Sequence, residues 1–267
     1  MKKKLQTAIE NIEEKLAVIC LQINHILNLE RRHWAIVGGF VRDLIISSYY
    51  KVDIPSPDVD IALIGLCPKY KNEDHISAMQ ENTFGGIKII SSVLGEIDLW
   101  TLNSHKSWKC YYISKSKNIT KSVNRTGATS KVNGLKRNKY IVLWEKYLRD
   151  IDFNANTVLY AYPEKKIIIN EKKWLSFLEY QNIEINNTRS PYPYLQPIRA
   201  LALAKKLSYL TSQNFNISDQ LEYSLKEYGR KQDQTINDYI EKKIKYQKWK
   251  EQILVSYAKF LKSTHKG

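Results

Sequence analysis

The chain has 267 residues, of which 43% are hydrophobic, and a formal net charge of +15. Its 18 tyrosines and 6 tryptophans supply enough apolar surface for a packed core, which excludes a disordered chain. No apolar run is long enough for a transmembrane helix, and early glutamates interrupt any signal-peptide core. The 3 widely spaced cysteines fit free thiols better than a disulfide framework or a zinc site. We therefore expect a cytoplasmic protein without a membrane partner.

The first part of the chain mixes helix and strand patterns. Apolar residues recur at helical spacing over residues 4–28, which predicts an amphipathic helix. Its apolar stripe favours core packing, with a partner helix as the alternative. Further elements are predicted at Trp34–Val37 (strand), Phe40–Ser48 (helix), Asp58–Ile64 (strand), and Ile87–Ser91 with Glu96–Leu102 (hairpin).

The later part is mainly helical. Helices are predicted at Ile141–Leu148, Lys172–Tyr180, Leu195–Leu210, Ser218–Tyr228 and Thr235–Leu261. The predicted fold class is α+β, with a small mixed β-sheet flanked by helices and then an all-helical region. We expect the boundary near residue 165, giving a head of residues 1–165 and a helical C-terminal domain of residues 166–267.

A glycine pair, Gly38 and Gly39, separates the first strand from a helix that carries Arg42. Glycines let phosphates approach the backbone, and helix N-termini attract anions. The pair therefore predicts a phosphate site, with a plain strand–helix turn as the alternative.

Carboxylates form the strongest chemical signal. Alternation along a strand puts Asp58 and Asp60 on one face, with Cα atoms roughly 6.5–7 Å apart. A neighbouring strand can add Asp98, and Glu96 is a less favoured substitute on the same face. Mutually repelling carboxylates are natural ligands for Mg²⁺, so we predict a two-metal site and nucleotidyl transfer from an NTP. A polar strand edge is the alternative.

Basic residues concentrate in one segment. Residues 99–144 contain no Asp or Glu, while residues 106–139 contain ten Lys or Arg together with aromatic residues. This segment predicts an RNA contact, and a solvated loop is the alternative. Residues 238–262 predict a helix with apolar and basic faces, whose lysines either follow an RNA backbone or are simply solvated.

The glycine and carboxylate motifs resemble the DNA polymerase β-type nucleotidyltransferase superfamily, most closely bacterial class II CCA-adding enzymes and poly(A) polymerases. Those proteins carry Gly-Gly-x-Val-Arg-Asp at a helix start and then Asp-x-Asp, a pattern that this chain matches over residues 34–64. The resemblance implies that Gly38, Gly39 and Arg42 contact the NTP phosphates. Asp43 would then orient Arg42 or the helix start, while Asp58 and Asp60 ligate Mg²⁺.

Two weaker matches lie further along the chain. Residues 152–158 are similar to the family's Asp-Phe-Thr-Ile-Asn-Ala segment, which implies ribose and pocket roles for Asp152 and Asn156; Ile151 replaces an arginine. The helix containing Arg199 resembles the family's base-reading helix, but Gln196 stands where the family has a charged residue and the preceding Glu-Asp pair is absent. The order of CTP and ATP use is therefore not implied.

The sequence thus predicts a Mg²⁺-dependent nucleotidyltransferase that moves NMP from ATP or CTP to an RNA 3′ end, with tRNA as the favoured acceptor. One alternative is a toxin or defence enzyme of the same superfamily that modifies tRNA, a protein or a small molecule, or makes an oligonucleotide. The other is a non-catalytic RNA-binding protein. The sequence does not indicate an oligomeric state.

Overall fold

The computed structural model describes residues 1–56, 58–65, 75–81, 86–102, 131–132, 135–136, 138–187, 193–243 and 247–262. The helices there are α1 (Lys2–Leu27), α2 (Gly39–Tyr50), α3 (Lys139–Arg149), α4 (Glu171–Tyr180), α5 (Leu195–Thr211), α6 (Asp219–Lys243) and α7 (Gln247–Lys262), with a short 3-10 helix at Asn154–Asn156. The strands are β1 (Trp34–Val37), β2 (Asp58–Leu63), β3 (Ile76–Glu81), β4 (Ile87–Ser91), β5 (Gly95–Thr101), β6 (Lys131–Val132), β7 (Leu135–Lys136), β8 (Val158–Tyr162), β9 (Lys166–Ile169), β10 (Asn182–Ile183) and β11 (Asn216–Ile217). This mixture confirms the predicted α+β class.

The chain divides into two compact units. A sheet unit contains Lys2–Arg149 and Val158–Asn170, and a helical unit contains Asp150–Thr157 and Glu171–Gly267. The segment Asp150–Thr157 therefore belongs with the later helices although it precedes the last two strands of the sheet unit. The sequence-based boundary near residue 165 stays a prediction.

A seven-stranded sheet, in the order β3-β4-β5-β2-β1-β8-β9, organises the sheet unit. Strands β2 and β5 run parallel, whereas the other neighbouring pairs are antiparallel. All four residues of β1 are buried, as expected for a short apolar run at the centre of a sheet. The predicted hairpin is confirmed as β4–β5, joined by the turn at 92–94.

Helix α1 packs against α2 and β9, which confirms core packing for its apolar stripe. Burying each aliphatic side chain contributes roughly 1.5–3 kcal/mol. The free thiol of Cys20 is buried on the same helix, and burial raises its pKa to about 12, so it stays protonated and unreactive. The buried stripe contains Leu5, Ile9, Ile12, Leu16, Ile23 and Ile26.

Helix α6 of the helical unit differs from the sequence prediction. Helix α6 continues through residues 229–234, where the sequence predicted a break between two helices. Buried Leu225 and Ile236 are eleven residues apart, about three helical turns, so the buried stripe keeps its direction past Gly229. One glycine costs a helix only about 1 kcal/mol, which this packing offsets. Within the described parts of the chain, no helix is long and apolar enough to cross a membrane.

The sequence patterns also missed strands. Strands β3, β8 and β9 were not predicted, although β8 is a short apolar run of the kind that fills a sheet centre. The two-residue strands β6, β7, β10 and β11 were not predicted either, and the pairing of β10 with β11 shows that the C-terminal region is not all-helical. Strand β8 pairs with β1, and β9 closes that edge against α1 and α3.

Candidate active site

The turn between β1 and α2 has a backbone conformation that favours glycine. Gly38 has φ 65° and ψ −123°, a backbone conformation that residues with a Cβ rarely adopt. Its N–H donates to the Val158 carbonyl at 3.4 Å, and its carbonyl accepts the first helical hydrogen bond from Arg42 N–H at 3.1 Å. The N–H groups that come before Arg42 in the first turn of α2 have no acceptor within the helix. Such a helix N-terminus favours binding of an anion.

Arg42 and Asp43 form a buried ion pair at this helix start. Arg42 Nε donates to Asp43 Oδ1 at 2.8 Å, and a terminal guanidinium nitrogen, Nη2, lies 2.8 Å from the same oxygen. A Cβ added to Gly39 would lie 3.5 Å from Nη2, so the guanidinium covers the glycine turn. The expectation that Asp43 orients Arg42 is confirmed at the level of contacts.

The carboxylates occupy one face of two adjacent strands. In the parallel pairing of β2 with β5, Asp58 lies beside Glu96 and Asp60 lies beside Asp98. Neighbouring strands are about 4.8 Å apart, so four acidic residues form a two-by-two group, which we call the carboxylate face. Asp60 also borders the glycine turn, because a Cβ at Gly38 would lie 3.8 Å from Asp60 Oδ2.

Lys88 of β4 contacts this face. It is the register partner of Asp98, and its Nζ lies 2.9 Å from Glu96 Oε2 and 3.5 Å from Asp98 Oδ2. Burial acts to lower the pKa of Lys88, but the hydrogen bond to Glu96 and the charges of both carboxylates outweigh burial and raise it. Lys88 is therefore a cation, and it neutralises part of the negative charge.

The carboxylate face has the donor chemistry that Mg²⁺ prefers, since all its side chains offer hard oxygen atoms. In the described residues, no group of three or more His, Cys, Asp or Glu side chains is already arranged to hold a metal ion. The structure thus brings Asp60 and Asp98 side by side, and Asp58 onto the same face. That these three residues ligate a metal ion stays a prediction.

A second cluster, in the helical unit, unites the other three predicted nucleotide-binding residues. Asp152 Oδ1 accepts hydrogen bonds from Phe153 N–H and from the Asn156 amide, both at 3.0 Å. Its other oxygen, Oδ2, lies 3.0 Å from Arg199 Nη1, and the guanidinium sits 5.8 Å from the Phe153 ring centroid. We call this group the Asp152 cluster.

Amide side chains hold the Asp152 turn in place. Buried Asn154 donates to the Asn182 carbonyl at 2.9 Å and accepts from Ala155 N–H at 2.8 Å and Glu184 N–H at 3.0 Å. Asn186 donates to the Ile151 carbonyl at 2.7 Å. The turn is therefore fixed by residues about thirty positions along the chain.

Gln196 has a structural contact. It is 4% exposed, and its amide donates to the Asn187 carbonyl at 3.0 Å. A neutral amide thus occupies this position, where it ties helix α5 to Asn187, whose side chain donates to the Asp150 carbonyl next to the Asp152 turn.

The predicted RNA contacts are described only in part. Of the basic segment, residues 106–139, the residues 106–130, 133–134 and 137 lie outside the described residues. The prediction of one continuous helix over residues 238–262 is wrong, because α6 ends at Lys243 and α7 begins at Gln247. The predicted apolar positions are buried in both helices, Ile240 in α6 and Ile253 and Tyr257 in α7. Lys250 is 2.7 Å from Glu241 Oε2, so it joins α6 to α7 and contributes little to a basic outer face. The RNA-contact assignment stays a prediction.

Sequence reasoning missed Lys88. Its signal was a lysine flanked by Ile87 and Ile89 in a predicted strand, followed by a hairpin turn. Only the exact hairpin register places it opposite Asp98 rather than one residue away, on the other face.

Comparisons with known proteins identify the fold. No family model matches the chain, and no curated protein matches it. Among solved structures, a CCA-adding enzyme in complex with CTP matches at TM-score 0.51 and 15% identity, over 96% of this chain and 54% of that one. The Thermotoga maritima CCA-adding enzyme complexed with tRNA matches at TM-score 0.55 and 15% identity, over 94% and 54%.

A third structure, a CCA-adding enzyme in complex with ATP, matches at TM-score 0.50 and 14% identity, over 96% of this chain and 54% of that one. This chain thus spans about half the length of these structures. At such identity the likeness concerns the fold, and it agrees with the architecture described above. The chain therefore shares the fold of these CCA-adding enzymes over the part of their length that it matches.

Proposed function

We propose that the chain is a Mg²⁺-dependent nucleotidyltransferase that transfers NMP from an NTP to the 3′ end of an RNA, with tRNA as the favoured acceptor. The observation that carries the proposal is the placement of Asp60 beside both Asp98 and the glycine turn. Carboxylates for a cation and a helix start for phosphates are the two parts that this chemistry requires. The fold-related enzymes in complex with CTP, ATP and tRNA support the substrate classes.

In the proposed reaction, the RNA 3′-hydroxyl oxygen attacks the α-phosphorus. A new P–O bond forms, the bond from the α-phosphorus to the bridging oxygen breaks, and pyrophosphate leaves. When bound, Mg²⁺ supplies charge neutralisation for the triphosphate and for the leaving pyrophosphate. Asp58, Asp60 and Asp98 would hold the cation, and Asp98 would accept the proton that the hydroxyl loses. Positioning and charge neutralisation supply most of the rate.

The remaining residues bind the nucleotide. Gly38, Gly39 and Arg42 hold the triphosphate at the start of α2, with Arg42 oriented by its contact with Asp43. The Asp152 cluster would hold the sugar and base, which the Arg199 side chain supports because it is 44% exposed and carries a guanidinium. The basic segment, residues 106–139, and the C-terminal residues 238–262 contact the RNA.

A second candidate shares the chemistry but has another acceptor: a protein, a small molecule or a second nucleotide, as in a toxin or defence enzyme. The observation that favours it is Gln196, a neutral amide engaged in holding Asn187 where the family helix carries charge. Nucleotide and acceptor choice are the properties that such a change alters.

The test uses the full chain with Mg²⁺, total RNA, and each of the four NTPs labelled at the α-phosphate. We expect label in RNA of tRNA size, from ATP, CTP or both, and none when Mg²⁺ is chelated. Label in protein, in a small molecule or in a short oligonucleotide would support the second candidate. Failure to transfer label from any NTP would favour a non-catalytic RNA-binding protein.

A further inference from the structure

Lys88 is an unusual residue for its place in the sheet. It lies on β4 between Ile87 and Ile89, and Ile89 is fully buried. Its side chain is 23% exposed, and the side chains of its partners Glu96 and Asp98 are 34% and 20% exposed. Placing a lysine in an apolar strand costs free energy unless its charge is paired, and here two carboxylates pair with it.

We propose that Lys88 is a built-in counter-cation of the carboxylate face, which competes with a divalent cation for Asp98 and is held back from it by Glu96. The proposal rests on the metal site of the proposed function. The contact distances support it, since Nζ is closer to Glu96, at 2.9 Å, than to Asp98, at 3.5 Å. Glu96 is thus the positioning residue that keeps Lys88 from closing fully onto Asp98.

Charge gives the two residues opposite effects on a divalent cation. A positive charge in contact with Asp98 repels a second cation there, so removing Lys88 strengthens metal binding. Removing the charge of Glu96 frees Lys88 to pair with Asp98, so it weakens metal binding through Lys88. A purely structural role for this contact predicts no change in either variant, or the same direction of change in both. Independent charge effects predict opposite changes that simply add in the double variant.

The experiment measures Mn²⁺ binding to the full chain without nucleotide, by the electron paramagnetic resonance signal of free Mn²⁺. We expect Lys88→Met to tighten binding about tenfold and Glu96→Gln to weaken it severalfold. In the Lys88→Met background, Glu96→Gln should weaken binding by a smaller factor than in the wild-type chain, because only the direct loss of its negative charge remains. Lys166→Met, which removes an exposed lysine on the opposite edge strand β9, is the matched control and should leave affinity unchanged.

Two results separate failure of this inference from failure of the proposed function. If Asp60→Asn abolishes Mn²⁺ binding but Lys88→Met leaves affinity unchanged or lower, the metal site stands and the role of Lys88 is wrong. If Glu96→Gln weakens binding by the same factor in the Lys88→Met background as in the wild-type chain, its effect does not act through Lys88 and its positioning role is wrong. If the wild-type chain binds no Mn²⁺, or Asp60→Asn binds it equally well, both proposals fail. Thermal unfolding of each variant checks that the fold is intact.

Discussion

The carboxylate face and the Asp152 cluster use the same functional group in opposite ways. On β2 and β5, acidic residues are paired in register with acidic residues, Asp58 with Glu96 and Asp60 with Asp98. In the Asp152 cluster, one carboxylate has both oxygens occupied by donors from its own unit. The first arrangement groups four acidic residues with one lysine, and the second surrounds a single carboxylate with donors.

This difference distinguishes carboxylates that are placed for ligand binding from carboxylates that stabilise the fold. Like charges on adjacent rigid strands raise the free energy of the fold unless cations neutralise them, so such a face indicates a function. A carboxylate that accepts two hydrogen bonds and an ion pair stabilises its own turn before any ligand arrives. Substitutions in the two places should therefore affect different measurements.

The largest effect is expected from Asp60→Asn. Loss of its charge should lower transfer from NTP by about 10³-fold or more, because the phosphate charge is no longer neutralised. The same change removes repulsion with Asp98, so the melting temperature should stay constant or rise. Labelled-NTP transfer and thermal unfolding measure the two quantities.

Asp53→Asn is the matched control for that substitution. Asp53 is an exposed aspartate in the loop before β2, within the same unit, and its replacement should change neither quantity. A strong loss of stability in Asp60→Asn would contradict the comparison, since it would make Asp60 a structural residue like Asp152.

Local sequence patterns predict much of the carboxylate face and little of the Asp152 cluster. Period-two alternation is a local property, so the shared face of Asp58 and Asp60 could be read from the sequence. The contact of Lys88 with Asp98 depends on hairpin register, and a slip of one residue would have moved Lys88 to the other face. Arg199 meets Asp152 from 47 positions away, through chain folding that no local pattern specifies.

Asp152 offers the next largest effect, this time on stability. Asp152→Ala leaves Phe153 N–H, the Asn156 amide and Arg199 without their shared acceptor, so the free energy of unfolding should fall by about 2 kcal/mol. Asp152→Asn keeps an oxygen that can accept from the first two donors, so it should lose only about half as much. Urea unfolding followed by tryptophan fluorescence compares the two variants. Equal stability of Asp152→Ala and the wild-type chain would refute the structural role.

The smallest stability effect, and the sharpest division between the two roles, is expected at Arg199. Its side chain is 44% exposed, so its ion pair with Asp152 is well screened by water and worth less than about 1 kcal/mol. The Phe153 ring, 5.8 Å away, adds on the order of 0.5 kcal/mol. Arg199→Ala should therefore barely change the free energy of unfolding.

If Arg199 also binds the nucleotide, Arg199→Ala should raise KM for the NTP about tenfold or more while the protein stays folded. Lys205→Ala, which removes another cation from the same helix α5, should leave KM within about twofold and so corrects for general loss of positive charge. An unchanged KM in Arg199→Ala would limit Arg199 to supporting the Asp152 turn. In that case the Asp152 cluster would be structural throughout, and nucleotide selection would have to come from other residues.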